Sequence, residues 1–260
     1  MTGWEEILER ETLTKEERKK VCGWLMTTES HMNNLIATYF TVRDFKAVWE
    51  RKIGGGVIGG KACGLLAARK LVQLKLPECA AHLEPHNSYF IGTNVFYQYL
   101  VVNQCAELKA KHRLEKEHFK ETEELTNRLR NGKFPEDVLD QFKAMLEHYG
   151  TTPLIVRSSS ILEDGYGNAF SGKYESVFCM NQGTIEERLE EFEGAVRRVY
   201  ASVMDEAAIE YRRKRHLLDV DEQMALLIQP VAGQEYGGLY FPVTAGMGCS
   251  YNPYKWMEQL

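Results

Sequence analysis

Two short segments carry the residue types that chemistry on a phosphate needs. Gly55-Gly-Val-Ile-Gly-Gly60-Lys61 has the spacing GxxxxGK. Glycines let a backbone approach a phosphate closely, a helix N-terminus offers N–H groups and positive dipole, and a lysine adds a mobile ammonium. The next residue is Ala62, where a phosphate-cradling loop needs a Ser or Thr for Mg2+. Four charges between Lys46 and Lys52 also stand where a buried strand should precede that loop. The spacing alone therefore does not define such a loop. It leaves Gly59, Gly60 and Lys61 able to meet a phosphate, with a flexible linker and an incidental lysine as the plainer alternative.

The second segment is Leu154-Ile-Val-Arg157-Ser158-Ser159-Ser160-Ile-Leu-Glu163-Asp164. It sets an arginine at the end of a short apolar strand, where its guanidinium can fork onto two phosphate oxygens. The serines can donate to phosphate or cap the next turn. The structural alternative is an ion pair of Arg157 with Glu163 or Asp164. Gly165, Gly167 and Gly172 follow and give that loop the freedom of a lid.

These segments need elements to hold them. Residues 4–50 read as helices, with a capping box at Thr14-x-x-Glu17. After the glycines, Ala62 to Leu74 reads as a helix with Leu65, Leu66, Ala68, Leu71 and Val72 for its buried face. Ser88 to Val102 predicts a strand and a short helix, and Glu107 to Arg130 a solvated helix or helical hairpin. Asp137 to Tyr149 is amphipathic and closes at Gly150. A strand over Pro153–Arg157 and another over Tyr174–Met180 follow. Thr184-x-x-Glu187 then opens a long helix with Ile185, Leu189, Phe192, Val196, Val199 and Val203 on one face. Met224–Val231 and Leu239–Val243 read as two strands of a hairpin. The class is α+β.

Composition bounds the function. The 260 residues are 44% hydrophobic and 27% charged, enough for about two domains or one large one. A net charge of −5 argues against a protein that coats nucleic acid, and 11% aromatics argue against disorder. The six cysteines form no CxxC pair, so they are expected as buried or incidental thiols in a reducing cytoplasm. The most apolar stretch, Tyr89 to Val102, is broken by Thr93, Asn94 and Gln98 and falls short of the ~20 residues of a membrane span. The acidic N-terminus is not a signal peptide. The basic run Arg212–His216 is expected as a solvated helix end, and Pro85 separates His82 from His86 and disfavours a metal pair there.

Four blocks in order resemble the nucleotide-binding domain of pyruvate phosphate dikinase, phosphoenolpyruvate synthase and rifampicin phosphotransferase. They are Gly59-Gly-Lys61-Ala-Cys-Gly-Leu65; Val156 to Asp164 running on to Phe170-Ser-Gly172-Lys-Tyr-Glu-Ser176; the helix with Val199-Tyr-Ala-Ser-Val203 and Ala208-Ile-Glu-Tyr-Arg212; and Met224 to Gln229 with the return strand Tyr236 to Phe241. The resemblance runs from about Ile53 to the C-terminus. It implies an ATP-grasp fold with ATP between two lobes, a first at 51–150 with a charged helical insertion and a second at 151–260 expected to be truncated at the C-terminus; residues 1–50, read from their own pattern, form a helical extension ahead of them. It implies Lys61 and Arg157 as the catalytic phosphate-binding pair. The nucleotide-binding set it implies is Gly59, Gly60, Lys61, Arg157, Ser158, Ser159, Gly172, Ser176, Gln229 and Val231. Gly172 and Ser176 belong to the loop over the phosphates, and Gln229 and Val231 to the adenine hinge. Glu163 and Asp164 match the family's acidic pair, with holding the serine loop as their expected role and catalysis as the alternative.

The resemblance implies ATP and Mg2+ as cofactors. It implies transfer of phosphate from ATP to a histidine on a separate domain, and from there to pyruvate or another small molecule, with those domains outside this chain. Lys173 replaces the family's common Gln, and Ala245-Gly-Met-Gly-Cys249 has no family counterpart. The family's Mg2+ ligands lie beyond the hairpin, and Glu258 and Gln259 are weak stand-ins, so the chain is expected to be a fragment. A non-catalytic nucleotide-binding module is the alternative, and an interaction protein built on the charged 107–149 helices is a third.

Overall fold

Caps and apolar stripes decide most of the helices. The computed structural model describes residues 3–114, 119–163, 172–218 and 220–246. Asp164, Gly165, Gly167, Phe170, Cys249, Glu258 and Gln259 lie outside them. Four helices open the chain: α1 (Gly3–Leu8), α2 (Lys15–Leu25), α3 (Ser30–Tyr39) and α4 (Val42–Glu50). The Thr14 box forms as expected, with Thr14 N–H donating to Glu17 at 2.8 Å and Glu17 N–H to Thr14 Oγ1 at 3.2 Å. There follow β1 (Lys52–Ile53), α5 (Gly60–Lys75), α6 (Pro77–Ala80), β2 (Tyr89–Ile91) and α7 (Thr93–Val102). Next come α8 (Ala106–Leu114), α9 (Phe119–Asn131), α10 (Glu136–Tyr149), β3 (Leu154–Ser158) and β4 (Ser176–Cys179). The helix α11 (Ile185–Ala201) carries its capping box at Thr184 and Glu187 and runs into a 3-10 turn at Ser202–Met204. After it stand α12 (Glu206–Lys214), β5 (Leu226–Pro230), β6 (Gln234–Tyr236) and β7 (Leu239–Phe241).

The chain forms two compact units, Met1–Pro230 and Val231–Leu260. In the first, five strands make one sheet in the order β1-β2-β5-β3-β4, so strands from both sides of residue 150 share one hydrogen-bond ladder. The β1–β2 pair is parallel and the other pairs are antiparallel. Strand alternation divides the side chains between two faces. Ile91, Leu154, Val156, Val177, Cys179, Leu226 and Ile228 join a core built with α7, α9, α10 and α11. Phe90 and Leu227 point the other way, into a core built with α1–α5. This second face is open at the β3–β4 end, where Phe178 is 67% exposed.

Four expectations are corrected. A short strand, β1, does precede the glycines, held by its parallel pairing with β2 despite its charges. Helix α5 buries Ala62, Cys63, Leu66 and Ala67 rather than the larger stripe starting at Leu65, because small residues let it pack closely on the N-terminal helices. Helix α9 is not fully solvated, since Leu125 and Leu129 are buried. The hairpin joins β6 to β7 in the second unit, whereas β5 pairs with β2 and β3. Gly237 and Gly238, with φ of +56° and +84°, form its two-residue turn, the geometry that matches strand twist.

Candidate functional site

The glycine segment and the serine segment interlock. Gly59 has a φ of +82°, and a Cβ there would lie 1.6 Å from the Ser159 carbonyl oxygen. A Cβ on Gly60 would lie 1.9 Å from the Glu163 carbonyl oxygen. These glycines are therefore required by the approach of one backbone to another. The interlock also takes up the first N–H groups of α5. Gly59 N–H donates to the Met26 carbonyl (3.1 Å), Gly60 N–H to the Ser160 carbonyl (3.1 Å) and Ala62 N–H to Ser159 Oγ (3.0 Å). Ser159 Oγ in turn donates to the Ile58 carbonyl at 2.8 Å. The helix N-terminus that sequence reasoning offered to a phosphate is mostly occupied, and the segment is no flexible linker. Its remaining chemical offer is the Lys61 side chain.

Lys61 Nζ donates to Ser158 Oγ and to Glu163 Oε1, each at 3.1 Å. Ser158 Oγ donates to the same Glu163 oxygen at 2.9 Å, and Ser160 N–H donates to the other at 2.9 Å. Glu163 is 2% exposed. Burial pushes its carboxyl above the usual carboxylate range, and the Lys61 ammonium with the Ser158 and Ser160 donors opposes that rise. The ion pair considered for Arg157 thus goes to Lys61 instead, because the close approach through Gly59 and Gly60 brings the lysine to Glu163.

A second buried carboxylate continues the network. Ser160 Oγ donates to Glu222 Oε1, and Tyr174 OH donates to Glu222 Oε2 at 2.6 Å. Arg212 lies 3.5 Å from the same carboxylate and donates to the Val203 carbonyl at 2.7 Å. Ser160 therefore bridges two carboxylates, with its N–H on Glu163 and its hydroxyl on Glu222. Burial and the neighbouring Glu222 push the Tyr174 phenol well above its ordinary value. Arg212, expected in a solvated basic run, is buried, whereas Arg213, Lys214 and Arg215 are exposed. Sequence reasoning passed over Glu222. A single glutamate ahead of an apolar strand gives no local sign of a buried partner 62 residues away.

Arg157 has different surroundings. Alternation along β3 turns it to the face opposite Ser158. It stands opposite Ser176 in the β3–β4 register, and its Nη1 donates to Gln229 Oε1 on β5 at 3.3 Å. Three expected site residues, Arg157, Ser176 and Gln229, thus share the open part of one sheet face. No acidic partner of Arg157 occurs among the described residues. Gly172 has a φ of +73°, and nothing among the described residues lies within 4 Å of a Cβ built there. Val231 belongs to the second unit, where its carbonyl accepts from Tyr240 OH at 3.2 Å.

A Mg2+ site is not built by these residues. Among the described residues no three His, Cys, Asp or Glu side chains gather in a metal-binding group. Glu163 and Glu222 each have both oxygens engaged by protein donors and do not fit the role of ligands. Five of the cysteines are free thiols, and no helix among the described residues is long and apolar enough to cross a membrane.

No curated protein matches the sequence. The sequence profile of one family, described as pyruvate phosphate dikinase, AMP/ATP-binding domain, matches residues 56–256. That span holds the glycine segment from Gly56 on, the serine segment, the two buried carboxylates and Arg157, and it covers well over half of the 260 residues. The chain belongs to the pyruvate phosphate dikinase AMP/ATP-binding domain family.

Proposed function

We propose that this chain binds ATP through Lys61 and Arg157 as the nucleotide-binding part of a dikinase-like phosphotransferase of ATP-grasp type. The observation that carries the reading is the interlock. It brings the Lys61 ammonium to Ser158, the immediate neighbour of Arg157, across 97 residues of sequence. Two cations then stand at the end of one strand, with Arg157 on the sheet face opposite the Ser158 side chain that Lys61 reaches. Transfer of a phosphoryl group depends mainly on positioning and on offsetting charge, and a guanidinium with a neutral partner is suited to both. In this reading Gly59, Gly60, Ser158 and Ser159 act by building the junction. Ser176 and Gln229 orient Arg157, Gly172 belongs to the loop over the phosphates, and Val231 to the adenine hinge. The phosphate acceptor is a histidine on a separate domain, with pyruvate or another small molecule receiving the group afterwards. Free thiols suit a reducing compartment such as the cytoplasm.

Calorimetric titration with ATP tests the site. Lys61→Ala and Arg157→Ala should each weaken binding, and unchanged affinity in both variants overturns the assignment. A second reading, a nucleotide-binding module without transfer, is favoured by the engagement of Lys61 with Glu163. Transfer of label from γ-labelled ATP to an added histidine-bearing domain distinguishes the two.

A further inference from the structure

The role of the four N-terminal helices is open in the reading above, and one contact gives it content. Lys52, in β1, points its ammonium at two tryptophans of those helices. Its Nζ lies 5.0 Å from the ring of Trp24 and 5.3 Å from that of Trp49. The two rings stack on each other at 5.0 Å. From this position Nζ donates to the Gly56 carbonyl at 2.8 Å. The bond closes the glycine loop on itself four residues on. Ring faces attract a cation but leave its N–H groups available, so the carbonyl and the aromatic pair are complementary partners.

The rest of the loop is fixed on its other side. Gly54 N–H donates to Gln141, Val57 N–H to Thr93 Oγ1, and Asn94 N–H to the Gly55 carbonyl. Gly56 has a φ of +80° and abuts Thr93 and Asn94. At the end of the loop the N-terminal helices contribute again, because the Met26 carbonyl accepts from Gly59 N–H. Lys61 follows two residues later. The N-terminal helices thus touch the loop at its middle through Lys52 and at its end through Met26. Burial pulls the Lys52 ammonium down to about 8.

We infer that Lys52 is a positioning residue: held against the stacked rings of Trp24 and Trp49, it holds the glycine loop in the shape that presents Lys61, and so makes the N-terminal helices part of the phosphate end of the site. The effect on nucleotide rests on the proposed function, whereas the effect on the loop does not. The test uses the full chain. In Lys52→Met, which keeps the stem and loses the charge and the donor, amide hydrogen exchange across residues 54–60 should rise about tenfold or more, as loss of a charge-assisted hydrogen bond implies. Exchange at residues 226–228 should be unchanged. Titration followed by tryptophan fluorescence should show weaker ATP binding with AMP binding retained, since the loop serves the outer phosphates. Lys52→Arg should restore part of both. Unchanged loop exchange in Lys52→Met overturns the proposal, as does an equal loss of ATP and AMP affinity. If the unmodified chain binds neither nucleotide, the site reading fails and the exchange result alone decides the role of Lys52. Should Lys52→Met not fold, Trp49→Leu removes one ring and should raise exchange in the same amides by a smaller factor; no change there also overturns the proposal.

Discussion

Lys61 and Arg157 reach the same strand end in opposite electrostatic conditions. Lys61 lies beside a carboxylate that is 2% exposed, in a junction where every serine side chain is buried. Arg157 lies on a partly open sheet face, hydrogen-bonded to a neutral amide. The first charge is already balanced, and removing its partner leaves an ammonium in a poorly solvated place. The second has no balancing charge among the described residues. The comparison separates two tasks that sequence reasoning gave to one pair. Lys61 holds the junction together, and a phosphate would have to compete with Glu163 for it. Arg157 is bonded to a neutral amide, and in the proposed reading it is the cation with no carboxylate among the described residues to leave when a phosphate binds.

The sharpest way to break this contrast is at the interlock itself. Gly59→Ala adds a methyl group against the Ser159 backbone at a positive φ. It should cost more than about 4 kcal/mol, in the range reserved for exceptional substitutions, and denaturant titration measures it. A fully stable Gly59→Ala protein would mean that the two segments are not locked. Glu163→Ala comes next. Removing one partner of a buried pair typically costs about 3–5 kcal/mol, and the 20% exposure of Lys61 places the expected loss toward the low end.

Arg157→Ala sharpens the other side. Its stability should fall by about 1 kcal/mol or less, since the half-buried side chain gives up one long hydrogen bond to Gln229. Its ATP affinity should fall roughly tenfold or more, the value of a charge-assisted hydrogen bond. A large stability loss with intact binding would reverse the assignment of tasks. The smallest effect is with pH. The Glu163 carboxyl titrates higher in the folded chain than in the unfolded one, so the folded chain binds more protons in between. Its contribution is present at acid pH and is lost as pH rises through the folded value. The stability of the parent relative to Glu163→Gln should therefore decline from pH 4 toward neutrality, and melting curves across that range record it. The stability of the parent relative to Arg157→Ala, which keeps Glu163, should show no such trend.

Much of the secondary structure was legible because its signals are local. The Thr14 and Thr184 boxes and the stripe on α11 depend on residues three or four apart. The strand through Arg157 and the family blocks were readable for the same reason. The Lys61–Glu163 bond was not, because it spans 102 residues and depends on glycines that lack a Cβ where two backbones meet. Glycines next to a lysine suggested a phosphate, whereas the close neighbour proved to be the serine loop. The basic run around Arg212 reads as solvated, yet its helix turns that one residue inward onto Glu222. The hairpin return strand at Leu239 was legible, but its partner was not, because the apolar run of β5 outweighs the polar Gln234–Tyr236 that pairs with it.

The Met26 carbonyl has a practical consequence for dissecting this molecule. It accepts both Gly59 N–H and, at 3.3 Å, the Cys63 thiol. The family profile begins at residue 56. A piece trimmed to that boundary would lose this acceptor and the apolar cover over Phe90 and Leu227. A recombinant domain cut there would be an aggregation-prone product, and grafting the glycine segment into another scaffold would require the first helices to travel with it.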